Sequence, residues 1–187
     1  MTYIDVSTVE LLGRLIGRRN AKRLYRDSLI PLFTPEVEEA HHARLLAARE
    51  LVRRWLEEDL RNCVELTNRL HVANYLQLLF ADDKREVFAV LFLDNRHRLI
   101  ATERMFFGTI NGTSVYPREV VKMALAYNAA AVILSHNHPS GVADPSRHDE
   151  VISTKLREVL AIVDIRVLDH VVVGIGTVSS LAERGLL

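Results

Sequence analysis

The stretch "SHNHPSGVADPSRHDE", residues 135–150, contains two histidines two residues apart and an aspartate eleven residues after the second. It overlaps "AAVILS" at residues 130–135, a short apolar run that is typical of a strand buried on both faces. Alternate residues of a strand point to the same face, so the imidazoles of His136 and His138 can converge on one point. Two imidazoles and the carboxylate of Asp149 suit zinc, and three protein ligands leave a fourth position for water. The stretch therefore predicts a metal site of the catalytic kind at the end of a buried strand.

Each part of this pattern also has a purely structural explanation. Ser146 and Asp149 fit the capping box that starts many helices, and that role alone would explain both residues. Two histidines at a strand end can simply be exposed. The joint pattern, His-x-His-Pro, six residues, Ser, two residues and Asp, is far narrower than any of its parts.

The remainder of the chain changes character near residue 82. Before it, apolar residues recur at helical spacing, and a long helix of about 36–59 is predicted, with Trp55 in the core. After it, two β-rich runs separated by a polar turn predict a hairpin. The further elements predicted are a helix within 114–129, a strand within 130–135, a helix of about 146–161, a strand over 165–176 and a short closing helix over 179–185. This order predicts an α/β core over residues 81–187, preceded by a helical region over residues 1–80.

Composition and charge narrow the class of protein. The formal net charge is zero, so no overall field favours nucleic acid or an acidic membrane surface. Cys63 is the only cysteine, which excludes an internal disulfide and a thiolate-rich zinc site and suits a reducing compartment. The first ten residues have neither a basic nor an apolar run, and no apolar stretch is long enough for a bilayer. We therefore expect a cytoplasmic protein with no membrane partner.

The residues around the histidine pair resemble a known family. The string "HNHPSGVADPSRHD" at 136–149 matches the His-x-His-Pro-x6-Ser-x2-Asp motif of the JAMM (MPN+) metallopeptidases. The segments over 117–141 and 165–176 resemble the bacterial RadC-type proteins in particular, and the likeness covers about residues 84–187. It implies an α/β fold with a mixed-sheet, MPN-like core whose architecture is also cytidine-deaminase-like.

This resemblance implies a role for each residue of the motif. His136, His138 and Asp149 would bind one zinc ion per chain, and Ser146 would help to hold the oxyanion of a tetrahedral intermediate. Glu86, just before the apolar run "VFAVLF", would be the general base that moves a proton from water to the leaving amine. The chain would then be a zinc-dependent peptidase or isopeptidase with a peptide or protein substrate, linked to DNA repair or recombination.

Several acidic residues leave alternatives open. Glu86 can be a solvated charge at a strand start, and Glu119 is a rival base that the dipole of its helix already explains. Glu103 is interpreted as an outward-facing partner of its neighbour in the chain, Arg104. Asp169 and His170 lie in an apolar strand, where they would either orient a metal ligand or form a buried structural pair. The sequence favours neither role for Asp169 and His170, and His148 is interpreted as a surface residue.

The helical region raises the question of nucleic acid. RadC-type proteins carry a helix-hairpin-helix there, but Glu36 and Glu38 stand where its glycines are expected, so a working phosphate clamp is not predicted. A basic stripe at i, i+4 spacing would meet phosphates if one helix ran through it; the stripe comprises Arg14, Arg18, Lys22 and Arg26. Gly17 and Asn20 weaken that helix, and a solvated face is the favoured explanation. The alternative function is therefore a non-catalytic DNA-associated or protein-interaction module that keeps the metal as a scaffold.

Overall fold

The computed structural model describes residues 6–29, 32, 40–62, 69–108 and 114–187. Contacts divide the chain into two compact units, Met1–Arg54 and Trp55–Leu187. Glu36, Glu38 and Cys63 lie outside the described residues. The elements, in chain order, are α1 (Thr8–Ile16), α2 (Arg18–Leu24), α3 (Ala40–Asn62), α4 (Arg69–Leu79), β1 (Val87–Leu93), β2 (Leu99–Phe107), α5 (Pro117–Ala126), β3 (Ala131–Asn137), α6 (Arg147–Ala161), β4 (Arg166–Val173) and β5 (Val178–Ser180).

The first unit begins with two short helices instead of one long one. Ser7 caps α1 by accepting a hydrogen bond from the Glu10 amide, and Gly17, at φ 85°, separates α1 from α2. The predicted basic stripe therefore crosses a helix break, and its four residues do not share one helical face. The buried apolar residues of this unit are Leu12, Ile16, Ala21, Leu32 and Leu45.

The expectation that Trp55 belongs to the core is wrong. Its side chain is 61% exposed, and Leu51 and Val52 on the same helix are exposed as well. The reason is that α3 contributes to two separate cores, through Leu45 near its start and Leu56 near its end. Helical spacing alone does not reveal that the stretch between the two cores is uncovered.

The second unit is built on a mixed sheet, as predicted, and the sheet has five strands where the sequence predicted four. Its strand order is β2-β1-β3-β4-β5, with β3 and β4 parallel and every other neighbouring pair antiparallel. Strands β1 and β3 are buried along their whole length, which is why both read as continuous apolar runs in the sequence. The strand that carries the histidines is therefore the central strand of the sheet.

Alternation along β1 sends successive side chains to two different cores. Val87 and Leu91 pack in a cluster with residues of α4 and the end of α3, whereas Phe88 and Phe92 pack in a cluster with residues of α5 and α6. The sheet thus has helices on both faces. Because α4 packs against the sheet, it belongs to the second unit, and the division between the units falls between residues 54 and 55. The boundary predicted from the sequence, at residue 80, marks the change from helix to strand.

The predicted closing helix over residues 179–185 is wrong. Residues Val178–Ser180 form β5 and pair with β4, and a turn follows. The cause is a long-range contact: the Asp169 carboxylate accepts hydrogen bonds from the Ser180 hydroxyl and the Ala182 amide. None of the helices in the described ranges combines the length and hydropathy that a bilayer span requires.

Helix α6 depends on a single apolar face for its position over the sheet. Leu156 is fully buried in that face, whereas Val151 on the same helix is 54% exposed. We expect Leu156→Ala to lower the free energy of unfolding by about 2–5 kcal/mol, because it leaves a cavity against the sheet. Denaturant unfolding measures this, with Val151→Ala as the matched control, expected to change stability by less than about 0.5 kcal/mol. Equal effects of the two substitutions would contradict this packing.

Candidate metal centre

The end of β3 and the start of α6 bring three ligand atoms together, as the motif predicts. The Nε2 atoms of His136 and His138 are 2.9 Å apart, and His136 Nε2 lies 3.2 Å from Asp149 Oδ1. His138 Nε2 lies 3.8 Å from Asp149 Oδ2. Tetrahedral zinc with bonds of 2.0–2.1 Å separates its ligand atoms by roughly 3.3 Å, so these spacings fit one ion. The three side chains form a group that can hold a metal ion.

The capping box at the start of α6 holds Asp149 in place. Asp149 Oδ2 accepts hydrogen bonds from the Ser146 amide at 2.7 Å and the Ser146 hydroxyl at 2.6 Å. Oδ1 is left facing His136. The capping-box explanation of these residues is confirmed, and the same cap orients the Asp149 carboxylate toward His136. The single hydroxyl proton of Ser146 is donated to Asp149, and the oxyanion role of Ser146 stays a prediction.

Charge and hydrogen bonding keep the Asp149 carboxylate ionised. Burial alone would raise the pKa of this carboxyl, but the hydrogen bond and charge of His136 and the two hydrogen bonds from Ser146 outweigh it. The pKa of Asp149 consequently lies well below its ordinary value. An ionised oxygen at this position is what a metal ion requires of the ligand.

The loop after β3 fixes the ring of His138. Its Nδ1 lies 2.8 Å from the carbonyl oxygen of Val142, and a carbonyl can only accept, so Nδ1 carries the proton and Nε2 keeps its lone pair. The same loop packs so closely on Gly174 that a Cβ there would lie 2.3 Å from the backbone oxygen of Gly141. The side chain of His138 is 19% exposed and that of His136 only 1%, so the group opens to solvent on the His138 side.

The ring of His136 lies deeper, among other rings. Phe88 stacks on it at a centroid distance of 6.4 Å, and His170 Nε2 lies 2.8 Å from His136 Nδ1. The other nitrogen of His170 contacts the Ser153 hydroxyl. Complete burial lowers the pKa of His170 well below its usual value, and the neighbouring His136 lowers it further. His170 is therefore neutral at physiological pH.

The sequence leaves two roles open for Asp169 and His170: orienting a metal ligand, or a structural role. The structure assigns the first kind of contact to His170 and the second to Asp169. His170 contacts a residue of the metal group, as an orienting partner would. Asp169 instead bonds the backbone amides of His170 and Ala182 and the hydroxyl of Ser180, which ties the end of the chain to β4. Asp169 is therefore a structural residue that holds the end of β5 and the turn after it against β4.

Glu86 lies immediately before β1, on the strand that pairs with the histidine strand. Phe88 is the cross-strand partner of His136, and Glu86 lies two residues before Phe88, just outside the paired register. Alternation assigns Glu86 to the same face of the sheet as Phe88. The backbone of Glu86 therefore precedes the strand that pairs with β3, and the role of Glu86 as general base stays a prediction.

The backbone around Glu86 is held by Asn137, the residue between the two histidines. The Asn137 carboxamide accepts a hydrogen bond from the Val87 amide at 2.8 Å and donates one to the carbonyl of Arg85 at 3.0 Å. On the other side, the Gly108 amide donates to the carbonyl of Glu86 at 2.8 Å. The same tripeptide that carries the histidines therefore also fixes the segment that carries Glu86.

The rival acidic residues have other partners. Glu119 pairs with Lys122 on the surface of α5. The predicted pair of Glu103 with Arg104 is wrong: Glu103 accepts a hydrogen bond from Tyr127, and the partner of Arg104 is Asp83. Neighbours along a strand point to opposite faces, which favours partners from other elements. His148 is exposed, as predicted.

Comparison with known proteins agrees with this architecture. A model of the RadC-like JAB domain matches residues 66–186. The chain belongs to the RadC-like JAB domain family. It is 56% identical to a UPF0758 protein of Nitrosococcus oceani over 97% of this chain and 82% of that protein. It is 52% identical to one of Thioalkalivibrio sulfidiphilus, over 100% and 82%, and 49% identical to one of Halorhodospira halophila, over 95% and 79%.

Two residues of the site were not identified from the sequence. Asn137 carries a signal, because it is a polar residue inside a fully buried strand and must find hydrogen-bond partners. Ser153 carries a similar signal, because it follows Ile152 on the apolar face of α6, four residues after Asp149. Neither signal identifies the hydrogen-bond partners, which lie on other elements of the fold.

The two hydrogen bonds of Asn137 give a direct test of how the Glu86 segment is held. We expect Asn137→Ala to lower the free energy of unfolding by about 1–3 kcal/mol, because the Val87 amide loses its acceptor while it stays buried. Urea unfolding measures this, and Asn95→Ala, in the exposed turn after β1, is the control with no comparable loss. An unchanged midpoint for Asn137→Ala would show that these bonds do not hold the segment.

Proposed function

We propose that the chain is a zinc-dependent hydrolase that cleaves a peptide or isopeptide bond. The observation that supports this most strongly is the convergence of two imidazole nitrogens and an ionised carboxylate at a partly open strand end, where one ligand atom from each residue lies within 4.8 Å of the others. Three such ligands suit zinc and leave room for solvent, as in catalytic sites. Membership of the RadC-like JAB domain family supports the same reaction class.

The residues of the chain would divide the work of hydrolysis. Zinc bound by His136, His138 and Asp149 would act as a Lewis acid and make water a nucleophile at neutral pH. The Glu86 carboxylate would take a proton from the attacking water and return it to the leaving nitrogen as the C–N bond breaks, which gives a carboxylate and an amine. Ser146 would stabilise the oxyanion, and for this its hydroxyl proton must turn from Asp149 to the substrate.

The alternative is a DNA-associated or protein-interaction module that retains the metal only as a scaffold. The break between α1 and α2 divides the basic stripe on which a DNA surface would depend, so this alternative has less support. The proposal also includes a peptide or protein substrate, a cytoplasmic location and a link to DNA repair.

Zinc content tests the ligand set without any substrate. We expect about one zinc ion per chain in the purified protein, by elemental analysis. His138→Ala should abolish it, because one of three protein ligands is lost. His148→Ala is the matched control, since this exposed histidine is the neighbour of Asp149 on α6, and its zinc content should equal that of the wild type. Full zinc in His138→Ala would contradict the site.

Glu86→Gln separates the general base from the metal ligands. The variant should keep its zinc and lose about 100- to 10,000-fold in hydrolysis rate, because an amide cannot accept the proton. Cleavage of a panel of fluorogenic peptides and isopeptide-linked peptides measures this, with the exposed Glu119→Gln as control. Turnover by Glu86→Gln at the wild-type rate would remove Glu86 from the mechanism. If the zinc-loaded wild type cleaves no peptide but binds DNA with a steep salt dependence, the alternative function is correct.

A further inference from the structure

A continuous chain of hydrogen bonds joins two of the three proposed zinc ligands through the interior. His136 Nδ1 lies 2.8 Å from His170 Nε2, and His170 Nδ1 contacts the hydroxyl of Ser153. That hydroxyl donates to the backbone oxygen of Asp149, one turn earlier on α6. His170 and Ser153 are both fully buried, so water does not compete for these bonds. This series of hydrogen bonds therefore runs from β3 through β4 to α6.

The last group in this series of hydrogen bonds fixes the direction of every hydrogen bond in the series. The backbone oxygen of Asp149 can only accept, and it takes the single hydroxyl proton of Ser153. Ser153 Oγ then accepts a hydrogen bond from His170 Nδ1, and in an imidazole that has a single N–H group this leaves Nε2 as an acceptor. His136 Nδ1 consequently carries a proton, so Nε2 is the ring nitrogen through which His136 can bind a metal ion.

We propose that His170 and Ser153 are positioning residues that hold His136 in the one tautomer able to bind a metal ion through Nε2. This inference rests on the proposed zinc site. His138 has the same requirement, and it is met by a single bond to the carbonyl of Val142. The ring of His136 points its Nδ1 at another imidazole, which can donate or accept, so a third group has to set the direction.

The reverse direction shows why Ser153 matters. If Ser153 donated to His170 Nδ1, His170 would donate from Nε2 to His136 Nδ1. His136 would then carry its proton on Nε2, the atom that lies 2.9 Å from His138 Nε2 and 3.2 Å from Asp149 Oδ1. A proton there occupies the position of the metal ion. Ser153 thus acts on the site although it is separated from His136 by a whole imidazole.

Zinc affinity, measured by competition with a chromophoric chelator, tests both residues. Ser153→Ala should weaken zinc binding about 10- to 100-fold, the usual loss when a partner of a metal-bound histidine is removed. Thr154→Ala is the matched control: the neighbouring Thr154 makes the same type of bond, to the carbonyl of Glu150, but touches no histidine, and its affinity should not change. Equal affinities of the wild type, Ser153→Ala and Thr154→Ala would overturn the proposal.

Two substitutions of His170 separate hydrogen bonding from packing. His170→Phe retains an aromatic ring against Phe88 but offers His136 no acceptor, so zinc affinity should fall about 10- to 100-fold. His170→Gln supplies an acceptor oxygen and should recover part of that loss. A purely structural role predicts the opposite order, with Phe better tolerated than Gln in this apolar surrounding.

Imidazole ¹⁵N NMR reads the protons directly and needs no variant. In the zinc-loaded wild type we expect His170 to be protonated on Nδ1 alone and His136 to carry a slowly exchanging proton on Nδ1. A proton on His170 Nε2 would overturn the proposal. If the wild type binds no zinc, the proposed function fails, but the metal-free spectrum still decides this inference: a proton on Nδ1 of His170 supports it and one on Nε2 refutes it.

Discussion

The candidate site depends on the close approach of three polar groups that needs a positive charge among them. Two imidazole nitrogens and a carboxylate oxygen converge at the end of β3 with little water around them, and lone pairs this close are unfavourable unless a positive charge lies between them. The fold nevertheless holds all three in place. The three side chains form a group that can hold a metal ion, which is why the arrangement supports metal binding.

Each ligand is held by a different part of the sheet and its helices. The N-terminal cap of α6 aims Asp149, and the loop after β3 aims His138 by way of the Val142 carbonyl. His136 is held from the opposite side, by an imidazole of β4. Between the two histidines, Asn137 reaches across to β1 and fixes the backbone next to Glu86. One short stretch of β3 thereby sets both the metal ligands and the segment of the proposed base.

The parts of the fold that could be predicted from the sequence are those that local chemistry decides. The histidine pair on one strand face, the cap at Ser146 and the buried strands β1 and β3 each depend on residues close in the chain. The wrong predictions concern residues whose surroundings come from elsewhere. Trp55 lies between two cores on one helix, and residues 179–185 are drawn into β5 and a turn by Asp169. The partners of Asn137 and Ser153 lie on other strands, so spacing alone could not identify them.

The most direct measurement is anomalous diffraction from crystals of the protein soaked with zinc. A single strong peak is expected, with His136 Nε2, His138 Nε2 and Asp149 Oδ1 each about 2.0–2.2 Å from it, and with solvent as the fourth ligand. A peak at any other set of residues, or none at these three side chains, would contradict the account.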